Sequence, residues 1–230
     1  MKKKYIIILI MILILLSSSI IYLNTYYKAT NDVTKYLKSS KIIDIKKDEN
    51  GYLFDGPGDK EIFVFYPGAK VEYTAYAPLL RKLSEEGIDT FLVKMPFNIA
   101  FFKINRVDEI MKKYKYNNWY IGGHSLGGLV ASMNTKNQNI KGLILLASYS
   151  INKVECKVLS IYGTKDGVLN HKSYKKNIKN IPNRKEIILK GGNHSYFGNY
   201  GKQKGDKQST ISRKKQQEKT IEAILKFITE

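Results

Sequence analysis

The sequence predicts an α/β protein built on a mostly parallel sheet with helices on both faces. Three observations carry that expectation. Short runs rich in Val, Ile, Leu, Phe and Tyr recur without polar alternation, as strands buried on both faces do. Stretches with helical spacing stand between them, so strand and helix alternate along the chain. At 230 residues and 43% hydrophobic content, the chain is long enough for one substantial core plus an appendage, and general disorder is excluded.

The appendage comes first. Lys2, Lys3 and Lys4 precede an uncharged run from Tyr5 to Leu23. About 19 residues rising 1.5 Å each span roughly 28 Å, close to the thickness of the bilayer hydrocarbon. The next basic residue is Lys28, and this asymmetry places the N-terminus in the cytoplasm and the rest of the chain outside. A cleaved signal peptide is the competing reading, with Ser17 and Ser19 as its small residues. Ile20, Ile21 and Leu23 carry the apolar run past those serines and favour an uncleaved anchor. Residues 1–24 are thus expected to be a transmembrane signal-anchor, 25–40 a stalk, and 41–230 the folded domain, exported in either case.

Within the domain, "KIIDIKKDENGYLFDG" reads as two short strands joined at Asn50-Gly51. "EIFVFYPG" is a buried strand, and "EYTAYAPLLRKLSEEG" places Leu79, Leu80 and Leu83 on one helical face. "IDTFLVKM" is a strand, "FKINRVDEIMKKYK" a helix and "NWYIGGH" a strand. The helix "LGGLVASMNTKN" and the strands "IKGLILLAS" and "CKVLSIYG" follow. A short helix at "HKSYKKNIKN", a last strand at "KEIILKGG" and an amphipathic helix at "QQEKTIEAILKFITE" complete the order. The polar stretch "GKQKGDKQSTISRKKQ" is the one compositional break and reads as a surface loop. Ligands bind such sheets beyond the carboxyl ends of the strands.

The formal net charge is +19. Scattered lysines without a nucleic-acid-binding motif exclude a nucleic-acid partner. Compositional bias is one reading of the charge, and an anionic cell-surface polymer or membrane surface is the other. The lone Cys156 allows no internal disulfide and no cysteine-rich metal site, and it reads as a buried small hydrophobe.

Chemistry concentrates in "NWYIGGHSLGGLV". Gly123-His124-Ser125-Leu126-Gly127 fits G-x-S-x-G, a strand-to-helix turn so sharp that the serine takes strained angles. A nucleophilic serine needs a base. His124 adjoins it with its side chain directed away from the serine's, and His171 opens a lysine-rich helix as a surface residue. His194 lies directly after the last strand and is the candidate. The carboxylate that fixes its tautomer is expected at Asp166, just after a strand, with Asp206 as the alternative. The order Ser125, Asp166, His194 fits neither the chymotrypsin nor the subtilisin order. Backbone N–H groups must meet the developing oxyanion. One is that of Leu126. The other comes from "FYPGAKVEY", from Ala69 or, second, Lys70.

Together these residues resemble the α/β-hydrolase superfamily over nearly all of the chain after about Lys41. "FYPGAKV", "AYAPLLRKL", "VKMPFN", "GGHSLGG", "GTKDG" and "GGNHSYFGNYG" look more closely like a group of compact bacterial hydrolases, often membrane-anchored, related in outline to dienelactone hydrolases. The resemblance implies a sheet of about eight strands with Ser125, Asp166 and His194 as triad. Many superfamily members carry His-Gly before the oxyanion residue, where this chain has Pro67-Gly68, and most dienelactone hydrolases use cysteine where it has serine.

The expected function is a serine hydrolase on the outer face of a membrane, cleaving a small-molecule or lipid-like ester or thioester. No metal or organic cofactor is implied. An amidase or peptidase with the same triad, and a non-catalytic surface-anchored binding protein, are the alternatives. "PFNIAFF" is the only apolar insertion between core elements. It reads either as a mouth lining that favours acyl or aromatic groups or as ordinary core packing.

Overall fold

A computed structural model describes residues 2–230. It contains an eight-stranded sheet ordered β1-β2-β4-β3-β5-β6-β7-β8. The strands are β1 (Asp44–Asp48), β2 (Gly51–Asp55), β3 (Glu61–Tyr66), β4 (Asp89–Val93), β5 (Asn118–His124), β6 (Ile140–Leu146), β7 (Lys157–Gly163) and β8 (Arg184–Leu189). From β4 to β8 all pairings are parallel, while the β1–β2 hairpin joins antiparallel at one edge. The helices are α1 (Lys2–Asn24), α2 (Ala77–Glu85), α3 (Arg106–Lys113), α4 (Leu126–Met133), α5 (His171–Asn177) and α6 (Arg213–Thr229).

Strand β3 shows how the sequence makes two cores. Its side chains alternate between faces: Phe63 and Phe65 pack with Leu79, Leu83, Ile224 and Phe227 from α2 and α6. Ile62 and Val64 pack with Val107, Ile110 and Val130 from α3 and α4. Burial on both sides explains the unbroken apolar run.

The hairpin turn sits one residue earlier than the sequence suggests. Asp48 pairs with Gly51, so Glu49 and Asn50 make the turn. The reason is local: Asp48 Oδ1 accepts the N–H groups of Asn50 at 2.8 Å and Gly51 at 3.0 Å, a side-chain-closed turn. Helix α6 also begins earlier, where the Ser212 side chain caps it by accepting from Lys215 N–H.

Helix α1 is long and apolar enough to cross a membrane, and none of that span is buried against the protein. Residues 25–40, read from sequence as a stalk, are packed onto the domain. Tyr27 forms a parallel bridge to Val71 and Ala29 an antiparallel one to Tyr200. A 3-10 helix follows at Asn31–Leu37, with Val33 buried in the core beside α2. The polar stretch after Tyr200 is likewise tied down, through Ser209 and Asp206.

Candidate active site

The carboxyl edge of the parallel strands carries the backbone strain of the molecule. Among the described residues, the non-glycine positions with positive φ are Lys70, Phe97, Asn98, Ser125 and Ala147. They fall in the loops after β3, β4, β5 and β6. Such strain persists only where surrounding structure imposes it, and it gathers at functional sites.

Ser125 is the hinge between β5 and α4, at φ 53° and ψ −124°. Its N–H donates to Leu146 O at 2.9 Å, and its carbonyl accepts from Ser148 Oγ at 2.7 Å. The glycines around it are required by close approach. A Cβ on Gly123 would strike the Tyr66 carbonyl, one on Gly127 the Tyr66 and Pro67 carbonyls, and one on Gly128 would come within 2.7 Å of Ser148 Cβ. Without side chains there, α4 starts directly over the ends of β3 and β6.

Asp166 follows β7 and His194 follows β8. The histidine Nδ1 lies 2.9 Å from Asp166 Oδ2, with both side chains essentially inaccessible to solvent. Asp166 Oδ1 accepts the N–H groups of Val168 at 2.9 Å and Leu169 at 2.7 Å. Burial pushes this carboxyl up, but the His194 hydrogen bond and charge, with the two N–H groups, outweigh it and hold it below its ordinary value. His194 Nε2 is buried and has no protein partner. The serine hydroxyl shares the same edge but makes no hydrogen bond to it.

Two N–H groups near the serine have no protein acceptor among the described residues: that of Leu126, at the N-terminus of α4, and that of Ala69. Lys70 N–H is engaged by Asn98 O at 2.8 Å, which leaves Ala69 as the available donor of that loop. A cleft of about 190 Å³ adjoins Ser125, lined by Leu126, Leu129, Ala147, Ser148, Tyr149, Val168, Leu169 and Asn170.

Two further groups hold the site together. Tyr76 Oη accepts Gly68 N–H at 3.2 Å and lies 2.8 Å from His124 Nδ1. The His124 ring in turn lies 4.4 Å from that of His194, centroid to centroid. Burial, reinforced by His194, keeps His124 well below its usual pKa, so the ring is neutral. Asp206 does not touch the His194 ring. Its Oδ1 accepts from His194 N–H at 3.2 Å and from Gly167 N–H at 3.1 Å, and its Oδ2 from Ser195 N–H at 2.9 Å. It joins the backbones of the acid loop and the histidine loop. His171 is exposed, its Nε2 3.3 Å from the Asp166 carbonyl.

Sequence reasoning gave Asp206 a different task and His124 none. Their roles depend on which loops meet in space. The only sequence signal was that both stand next to triad candidates or in a polar loop beside one. The "PFNIAFF" insertion is divided: Ala100 is buried, whereas Phe97, Phe101 and Phe102 are exposed. None of these phenylalanines lines the cleft at Ser125. Cys156 is partly buried within apolar neighbours, and burial pushes its thiol up to about 11.

The sheet order, the strained serine at the end of β5, and an aspartate–histidine pair on the loops after β7 and β8 define an α/β enzyme scaffold. The chain belongs to the alpha/beta hydrolase family, whose model matches residues 62–218. No curated protein gives a significant match. Among solved structures, Est1E from Butyrivibrio proteoclasticus is 16% identical with a TM-score of 0.57, covering 83% of this chain and all of its own. Alpha/beta hydrolase domain-containing protein 10 from mouse is 14% identical with a TM-score of 0.58, covering 83% of this chain and 99% of its own. Carboxyl esterase 2 from the mycorrhizal fungus Tuber melanosporum is 13% identical with a TM-score of 0.59, covering 86% and 89%. At these identities the likeness is one of fold.

Proposed function

We propose that the protein is a serine hydrolase that cleaves a carboxylic ester or thioester through an acyl-enzyme. The observation that carries this reading is the buried Asp166–His194 pair, with His194 Nε2 left unpartnered, at the same sheet edge as Ser125 on its strained turn. With Nδ1–H donated to Asp166, the free lone pair of His194 is on Nε2, so this atom is the base. On closure around substrate it takes the Ser125 proton as Oγ attacks the carbonyl carbon. The tetrahedral oxyanion is held by the N–H groups of Leu126 and Ala69, the first reinforced by the positive end of α4. Nε2–H then protonates the leaving alkoxide or thiolate, and the acyl group stays on Ser125. A water deprotonated by the same nitrogen attacks the ester, and the acid is released with the serine restored. Asp166 remains ionised throughout and stabilises the imidazolium.

Ester or thioester cleavage fits better than amide cleavage, because alkoxide and thiolate leave more readily than amines. The presence of a carboxyl esterase among the structural neighbours leans the same way, as an analogy of fold. Helix α1 holds the domain on the outer face of the membrane, with Lys2 to Lys4 inside, and the net positive charge suits an anionic cell-surface polymer nearby. No nucleic acid takes part. The test is a fluorophosphonate probe applied to the full chain in detergent and to Ser125→Ala. Labelling of the parent alone supports the reading. A folded parent that takes no label overturns it and favours a non-catalytic, surface-anchored binding protein.

A further inference from the structure

We infer that the mouth of the catalytic cleft is applied to the bilayer that holds α1, and that the ester is part of an amphiphile delivered from that bilayer. This rests on the hydrolase reading of Ser125. The first observation is the tether. Helix α1 ends at Asn24, and by Tyr27 the chain is paired with the loop after β3. Tyr27 N–H donates to Lys70 O at 2.7 Å, and Glu72 N–H to Tyr27 O at 2.9 Å. Three residues reach at most about 10 Å, so the end of the membrane span cannot stand far from Ala69 and its free N–H. Lys70 closes the gap further. Its Nζ donates to the Tyr22 carbonyl and lies 4.2 Å from the Tyr22 ring centroid. Tyr22, near the outer end of the span, is the residue type that settles at the headgroup level.

The second observation is an unpartnered aromatic patch on the same edge. Phe97, Phe101 and Phe102 are 49%, 45% and 52% exposed. Their loop is hydrogen-bonded to the oxyanion loop through Lys70 N–H and Asn98 O. Phe97 holds this position at φ 51°, which a bulky side chain rarely adopts, so the outward-facing ring is imposed by the fold. Three adjacent phenylalanines facing water mark an interaction surface, and a tether this short puts an anionic bilayer beside them, matched by the positive charge of the domain.

The third observation concerns size. The cleft of about 190 Å³ holds the reacting ester and a few atoms on either side, far less than a drug-sized ligand site. An amphiphile would leave its chain in the lipid while its ester reached Ser125.

Two measurements test this, both on the full chain reconstituted in vesicles of equal parts phosphatidylcholine and phosphatidylglycerol. In Phe101→Trp, acyl-brominated phospholipids should quench the introduced indole well beyond the buried Trp119 of the parent. This readout needs no activity, and absence of quenching overturns bilayer contact. In the second, a Phe97→Ser/Phe101→Ser/Phe102→Ser variant should hydrolyse soluble p-nitrophenyl acetate at the parent rate. On a vesicle-embedded long-chain p-nitrophenyl ester it should lose about tenfold or more, as apolar interfacial contact is removed. Unchanged turnover of the embedded ester overturns the delivery route. A parent inactive on both esters while its Phe101→Trp form is quenched would instead refute the hydrolase reading and leave the docking surface standing.

Discussion

The Tyr76 hydroxyl links the loop after β3 to His124, whose ring packs against that of His194, and removing it tests that linkage. In Tyr76→Phe the ring keeps its place 4.9 Å from Phe65, so little packing is lost. What disappears is the acceptor of Gly68 N–H and the partner of His124 Nδ1, both in a fully buried region. A buried polar group left unsatisfied costs roughly 1–3 kcal/mol, so two of them should destabilise the domain by about 2–6 kcal/mol. For a domain of this size that corresponds to a fall in Tm of roughly 4–24 °C. Freed from Tyr76, Gly68 can drift, and the Ala69 N–H with it. A displaced oxyanion donor costs on the order of 10²–10³ in kcat, and partial displacement should sit at or below the lower end. The assay pairs thermal unfolding of the full chain with p-nitrophenyl acetate hydrolysis, expecting kcat to fall more than KM changes. Unchanged Tm with unchanged kcat would refute the linkage. A lower Tm with unchanged kcat would leave Tyr76 a structural residue only.

Two other perturbations follow from the same geometry. Asp206→Ala removes the carboxylate that gathers N–H groups from Gly167, His194 and Ser195; ester hydrolysis should drop by about 10-fold or more as the His194 backbone loosens, while parent-like turnover in a folded variant would reject the positioning role. Asp89 is buried where Tyr116 O–H and Gly56 N–H reach it, and burial pushes its carboxyl up to about 6. Because the folded state binds this proton more tightly than the unfolded chain, stability should be highest below about pH 4 on this account and decline as pH rises to about 6, by about 2 kcal/mol. Asp89→Asn should flatten that part of a Tm-against-pH curve, and a parent curve already flat there would contradict the assignment.

Much of this molecule is legible without coordinates. The alternation of buried strands and amphipathic helices is set by side-chain periodicity, a local property, so β3 to β8 and the six helices are found near their expected places. The strained turn at Ser125 is also local, since glycines are required wherever backbones cross within contact distance. The apolar run of α1 is read directly from length and charge. Tertiary structure alone decided the rest, because the deciding contacts join residues far apart in sequence. The Tyr76–His124 and Asp206 linkages, the engagement of Lys70 N–H by Asn98, and the docking of Tyr27 against Val71 each depend on loops meeting at one sheet edge. The hairpin turn moved by a residue because Asp48 could close it with its own side chain, a competition that composition cannot rank. The fate of "PFNIAFF" was of the same kind: apolar composition made it either core or mouth, and only the path of the chain between β4 and α3 turned three of its phenylalanines outward.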